Sequence, residues 1–119
     1  MKILSSKAHG ILDYLFSAFL LLTPTLFNLG GRICTVIYIL GAVHFLLTLV
    51  TKFEPGVIKL IPFRIHGLIE IAVALVLVVF AFVFYHYGNS FGFYYFLSLA
   101  GVILIVFILT DFSAEPANS

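Results

Sequence analysis

Charged residues are scarce in this sequence, and their scarcity decides its broad class. Lys, Arg, Asp and Glu make up 9% of the 119 residues, whereas a soluble domain carries about 25%. Hydrophobic residues make up 63%. The net charge is only +1 and no basic patch is present, which argues against a nucleic-acid partner. The composition therefore indicates a membrane protein and leaves no room for a soluble domain of any size.

The sequence has only one cysteine and none of the common catalytic motifs. Cys34 is the single cysteine, so it cannot form an internal disulfide, and no metal-ligand spacing surrounds it. The sequence contains no nucleophile elbow, phosphate-binding loop or His-Glu-x-x-His pattern. We therefore predict no catalytic residue and do not expect an enzyme.

Long apolar runs fill most of the chain. A membrane-spanning helix needs about 20 mostly apolar residues, and four such runs are present. They predict helices at about 7–27, 32–52, 62–87 and 91–110. We expect an all-α integral membrane protein, a single domain over 1–119, in which these helices form one bundle. Residues 54–63 interrupt the pattern with Pro55 and Gly56, and we expect an interfacial connector there.

One seven-residue pattern occurs twice. Residues 7–13 and 64–70 both consist of a base, an apolar residue, His, Gly, two apolar residues and an acid. Further on, residues 41–53 align without gaps to 100–112. The chain is therefore predicted to contain two repeated helical hairpins, repeat 1 at about 7–53 and repeat 2 at about 64–112.

The basic residues predict the orientation in the membrane. Five of the six Lys and Arg fall on one predicted side, and only Arg32 falls on the other. The basic side is normally cytoplasmic. We expect a multi-pass protein of the cell (inner) membrane with both termini in the cytoplasm. The five bases on that side are Lys2, Lys7, Lys52, Lys59 and Arg64.

Polar residues inside the apolar runs form the candidate site. His9 and Asp13 are four apart, as are His66 and Glu70, so each pair shares one helix face. At 1.5 Å per residue, Asp13, Glu70 and His44 lie roughly 9–12 Å from the cytoplasmic helix ends. We expect these three side chains to point into the bundle, with His9 and His66 nearer the cytoplasm.

Three glycines are predicted to be helix contacts. Gly10 and Gly67 follow the two repeated histidines and could let the first and third helices approach closely. Gly41 belongs to a stripe of small and polar residues on the second helix, together with His44 and Thr48.

The chemistry of this polar cluster has several interpretations. Interhelical hydrogen bonds can simply hold a bundle together. Three imidazoles and two carboxylates also suit Zn²⁺ or a non-haem transition metal, and intramembrane acids with histidines are typical of proton or ion relays. A haem held by His9 and His66 is disfavoured by the neighbouring carboxylates, and a site for a lipid head group or small molecule stays open.

The favoured prediction is a non-catalytic membrane subunit or scaffold with a buried His/carboxylate cluster. The alternative is a proton- or metal-ion-binding, transporter-like protein that uses the cluster. The lipid bilayer is the expected partner. A homo-oligomer or a larger membrane complex is also expected, since so small a bundle has little interior of its own.

The order of these features is similar to that of a known family. His9-Gly10-x-x-Asp13-Tyr14, followed by Thr23-Pro24 at the far end of the first helix, resembles small bacterial membrane proteins of the SPW-repeat type. The resemblance implies a multi-helix membrane architecture built from a repeat. It implies no established function and supplies no functional residue.

Overall fold

Four long helices dominate the structure, a computed structural model that describes residues 2–113. The four predicted helices are confirmed, and each is long and apolar enough to cross a membrane by length and composition. The two ends of the predicted domain, residue 1 and residues 114–119, lie outside the described residues. The elements are α1 (Ser6–Leu26), α2 (Gly31–Leu49), β1 (Thr51–Lys52), β2 (Ile61–Pro62), α3 (Phe63–His86) and α4 (Ser90–Leu109).

The helices pack in two pairs, α1 with α2 and α3 with α4. Gly41 lies in the first pair and faces α1, where an added Cβ would come within 2.9 Å of the Leu21 side chain. Apolar side chains from all four helices fill the bundle on the side of the two tight turns. The buried members are Leu20, Ile33, Ile37, Ala74, Leu77, Ala81, Phe96, Leu99, Ala100 and Ile103.

The end of α2 differs from the prediction. The helix was expected to reach about residue 52, but it ends at Leu49, and Thr51–Lys52 pairs in parallel with Ile61–Pro62. The connector turns back and its amides satisfy the last helical carbonyls: Val57 donates to the Leu49 oxygen at 2.8 Å. Helix-terminal carbonyls have no partner within their own helix, so this local hydrogen bonding competes with further helix. Pro62 consequently precedes α3 instead of starting it.

The connector also docks on α1. The Tyr14 hydroxyl donates to the Pro55 carbonyl at 2.8 Å, and the Ser6 hydroxyl donates to the Glu54 carboxylate at 2.6 Å. A second parallel bridge joins Leu4, just before α1, to Thr110, just after α4. The start of α1, the end of α2, the start of α3 and the end of α4 are therefore tied together at one end of the bundle.

Candidate functional site

Five polar side chains of the predicted site meet in the interior, near the tied end of the bundle. His9 and Asp13 come from α1, His44 from α2, and His66 and Glu70 from α3. All five are buried, and the exposed fraction of the side chain does not exceed 7% for any of them. The sequence-predicted set is thus brought together in full.

Two imidazoles and two carboxylates alternate around a small ring. Nε2 of His9 lies 3.2 Å from Oδ2 of Asp13 and 3.1 Å from Oε1 of Glu70. Nε2 of His66 lies 2.8 Å from the same Asp13 oxygen and 2.7 Å from the same Glu70 oxygen. All four atoms are within 4.8 Å of one another. The histidines, which were expected to lie nearer the cytoplasm, reach the carboxylates directly.

A threonine hydroxyl contacts Nδ1 of each of the two histidines, the nitrogen that faces away from the carboxylates. Nδ1 of His9 lies 2.8 Å from the Thr110 hydroxyl, and Nδ1 of His66 lies 2.7 Å from the Thr51 hydroxyl. Each hydroxyl already donates its only hydrogen, over 2.6 Å, to the carbonyl four residues earlier in its chain segment. The threonine oxygens must therefore accept from Nδ1–H. In the neutral imidazole this leaves the lone pair on Nε2, facing the carboxylates.

Sequence reasoning missed both threonines. Thr51 and Thr110 align with each other inside the 41–53 and 100–112 match, but they stand at the ends of the apolar runs and carry no charge. The equivalent position of the two residues in the two segments was the one signal that could have singled them out.

Within this ring of donor atoms, Oδ2 of Asp13 has no hydrogen bond to any described residue. Both Nε2 atoms are aligned for hydrogen bonding with Oε1 of Glu70. Oδ2 of Asp13 is buried and has no hydrogen-bond partner among the described residues, although Nε2 of His66 is only 2.8 Å away. Close nitrogen–oxygen contacts between lone pairs need a proton or a cation between them. A single cation would serve all four atoms at once.

His44 lies beside this ring. Its Nε2 is 3.4 Å from Oδ1 of Asp13, is buried, and has no hydrogen-bond partner among the described residues. Its imidazole packs against the Phe16 ring with 5.0 Å between the centroids. His44 is therefore the least constrained polar group of the five.

Aromatic rings cover the site at the tied end. Phe63 and Phe112 contact the His9 ring edge-on at centroid distances of 5.4 and 5.5 Å, and Phe53 lies 5.4 Å from the His66 ring. Phe53 and Phe63 are themselves buried. This layer separates the ring of donor atoms from the outside on that side.

Two glycines that were expected to bring α1 and α3 together, Gly10 and Gly67, have their nearest neighbours in other segments. A Cβ on Gly10 would lie 2.6 Å from the Pro55 side chain, and a Cβ on Gly67 would lie 2.8 Å from the Phe112 ring. The glycines thus make room for the segments that follow α2 and α4.

No family model, curated protein or solved structure matches this chain in comparisons with known proteins. The function is therefore argued from the geometry of the buried residues.

Proposed function

We propose that this protein is a membrane-embedded protein whose buried centre binds one divalent transition-metal ion. The observation that carries the proposal is the ring formed by Nε2 of His9 and His66 with one oxygen each of Asp13 and Glu70. The threonine contacts direct both lone pairs into that ring.

The donor set and its spacing fit a small cation. Donors bound at about 2.0–2.1 Å with square or tetrahedral angles are about 2.9–3.4 Å apart. The four nitrogen–oxygen edges here are 2.7, 2.8, 3.1 and 3.2 Å, so a slight expansion suffices. Two carboxylates balance the charge of a divalent ion, which lowers the cost of burying it. Two imidazoles and two carboxylates suit Zn²⁺ or a non-haem ion such as iron or manganese.

A purely structural cluster explains less of this geometry. Hydrogen bonds from His9 and His66 to Glu70 would join α1 to α3, as a scaffold requires. With neutral imidazoles they would leave Oδ2 of Asp13 buried without a hydrogen bond, which costs about 1–3 kcal/mol. The scaffold prediction therefore becomes the competing hypothesis. A haem between His9 and His66 is disfavoured further, because carboxylate oxygens occupy the space between their Nε2 atoms.

The outer surface supports placement in a membrane. Large apolar side chains such as Leu15, Val43, Leu75 and Ile105 are exposed on the outside of the four helices. A soluble monomer rarely exposes so continuous an apolar surface. We place the tied end in the cytoplasm with both termini, because five of the six bases belong to that side. The exposed Val57, Ile58 and Leu60 of the connector would then contact the inner membrane surface.

A duplicated hairpin accounts for the paired contacts. His9 and His66 occupy equivalent positions in the repeated pattern, and Thr51 and Thr110 are equivalent in the second aligned segment. Each histidine contacts the threonine of the other half. We propose that the two halves descend from one hairpin and that the metal lies between them.

Metal binding by the purified protein tests this function. The protein in lipid nanodiscs is titrated with Zn²⁺ against a competing chromogenic chelator. We expect one tightly bound ion per chain, and a loss of binding in Asp13→Asn. The matched control is His86→Gln, which changes an exposed histidine at the far end of α3. Equal Zn²⁺ binding by the wild type and Asp13→Asn would contradict the proposal.

A further inference from the structure

A cavity of about 320 Å³ leads from the outer surface of the bundle to the buried centre. Its walls are apolar and come from α1 and α4, for example Leu15 and Phe16 on one side and Leu99 and Val102 on the other. Its inner end is polar and is formed by Asp13, His44 and Glu70.

The mouth of this cavity faces sideways. It lies between α1 and α4, each of which packs mainly on its own partner helix. Leu15 and Val102 flank it and are 62% and 47% exposed on the outer surface. In a bilayer, this surface would face the acyl chains, so a molecule would enter from the membrane and not from the cytoplasm.

Among the residues that the structure describes, the inner end has no positively charged side chain that could bind an anionic head group. No Lys or Arg is among the described residues that line the cavity, whereas two carboxylates are. An anionic head would meet like charges there. Nε2 of His44 is buried without a hydrogen-bond partner among the described residues. A hydroxyl group can donate to or accept from an imidazole, and it can also donate to a carboxylate, so it fits either tautomer of His44.

From these observations we propose that the cavity binds an uncharged, membrane-soluble amphiphile whose hydroxyl-bearing head reaches His44. The volume is near the lower end of small-molecule sites, about 300–1,000 Å³, so the head and the first carbons enter while the tail stays in the bilayer. The shared chemistry is that of an aliphatic alcohol or a hydroquinone head. The inference rests on the membrane placement proposed above.

Photo-crosslinking in nanodiscs tests the site. Three probes with the same alkyl chain and diazirine are compared: an alcohol, a carboxylic acid and a plain alkane. We expect the alcohol to label Leu15, Leu99 and their neighbours about 3–10-fold more than either other probe, since one hydrogen bond contributes about 1 kcal/mol. Competition with decanol and with decylhydroquinone then identifies which head binds more tightly.

Two variants and a control locate the binding. Val102→Trp fills the mouth and should remove most labelling by the alcohol, whereas Val76→Trp, equally exposed at 45% on α3, should not. His44→Leu should reduce labelling by the alcohol to the level of the alkane. Equal labelling by all three probes would overturn the proposal and identify a groove for lipid tails. Labelling that Val102→Trp leaves unchanged would overturn it as well. Zn²⁺ binding is measured on the same samples, so failure of either proposal is seen separately.

Discussion

The hydroxyl oxygen of Thr110 lies 2.8 Å from Nδ1 of His9, on the far side of the imidazole from the carboxylates. The Thr110 hydroxyl donates its only hydrogen to the Val106 carbonyl at 2.6 Å, so its oxygen can only accept a hydrogen bond from His9. Histidines that bind metals commonly donate their other ring N–H to a fixed acceptor in this way. The relationship orients the ring and chooses which nitrogen faces Asp13 and Glu70.

Removing that hydroxyl should weaken metal binding. Thr110→Val keeps the shape of the side chain but offers no acceptor to Nδ1 of His9. Loss of such an outer contact typically lowers metal affinity about 10–100-fold, and we expect the same from a Zn²⁺ competition titration. Thr25→Val, at an exposed position of α1, is the matched control and should bind as the wild type does. Unchanged affinity in Thr110→Val would show that the threonine does not orient a ligand.

Two substitutions of Glu70 separate a binding role from a structural one. Glu70→Gln keeps the shape and part of the hydrogen bonding but removes the charge, so Zn²⁺ binding should fall steeply while the bundle stays folded. Glu70→Leu deprives His9 and His66 of their shared acceptor, and unpaired buried groups cost about 1–3 kcal/mol each. Denaturation in mixed micelles measures the folding, and chelator competition measures the binding. A Glu70→Gln variant that matches the wild type in both assays would support a scaffold instead.

The sequence predicted the helices and the polar residues well, because both signals are local. The apolar runs set the four helices, and the spacing of His9 to Asp13 and His66 to Glu70 set the shared faces. Approximate depth along the helices then sufficed to predict that His44 would lie near them.

The rest depends on how segments distant in sequence pair at the tied end. Thr110 reaches His9 because the chain after α4 pairs with Leu4, and no local pattern indicates that bridge. For the same reason, the sequence could not show that Gly10 is small because the Pro55 side chain packs against it. The early end of α2 results from hydrogen bonds to the connector, which apolar periodicity does not encode.

The Phe112 ring packs closely over Gly67, so we predict that a larger side chain at this position lowers the stability. In Gly67→Ala the new methyl group would lie 2.8 Å from the Phe112 ring, and overpacking of this kind costs about 1–3 kcal/mol. Gly101→Ala is the control within α4, because its Cβ would meet nothing within 4 Å. Alanine is the better helix former by roughly 0.5–1 kcal/mol, so Gly101→Ala should be neutral or stabilising. Equal stability of the two variants would mean that Phe112 does not pack on Gly67.

The proposed orientation makes a separate prediction. Reporter fusions in the connector, at residues 54–61, should report a cytoplasmic location, and fusions in the turns at 28–31 and 88–90 should report the opposite side. The physical reason is the excess of bases at the tied end, including Lys52 and Lys59. A connector found outside the cell would reverse the orientation, although the internal geometry of the site would be unaffected.

X-ray absorption spectroscopy of the Zn²⁺-loaded protein tests the central claim most directly. The ring of His9, Asp13, His66 and Glu70 predicts a shell of nitrogen and oxygen atoms at about 2.0–2.1 Å. The spectrum should show outer scattering from two imidazoles, and one imidazole should be lost in His66→Ala. A shell without imidazole scattering, or one that His66→Ala leaves unchanged, would contradict a metal centre between the two halves.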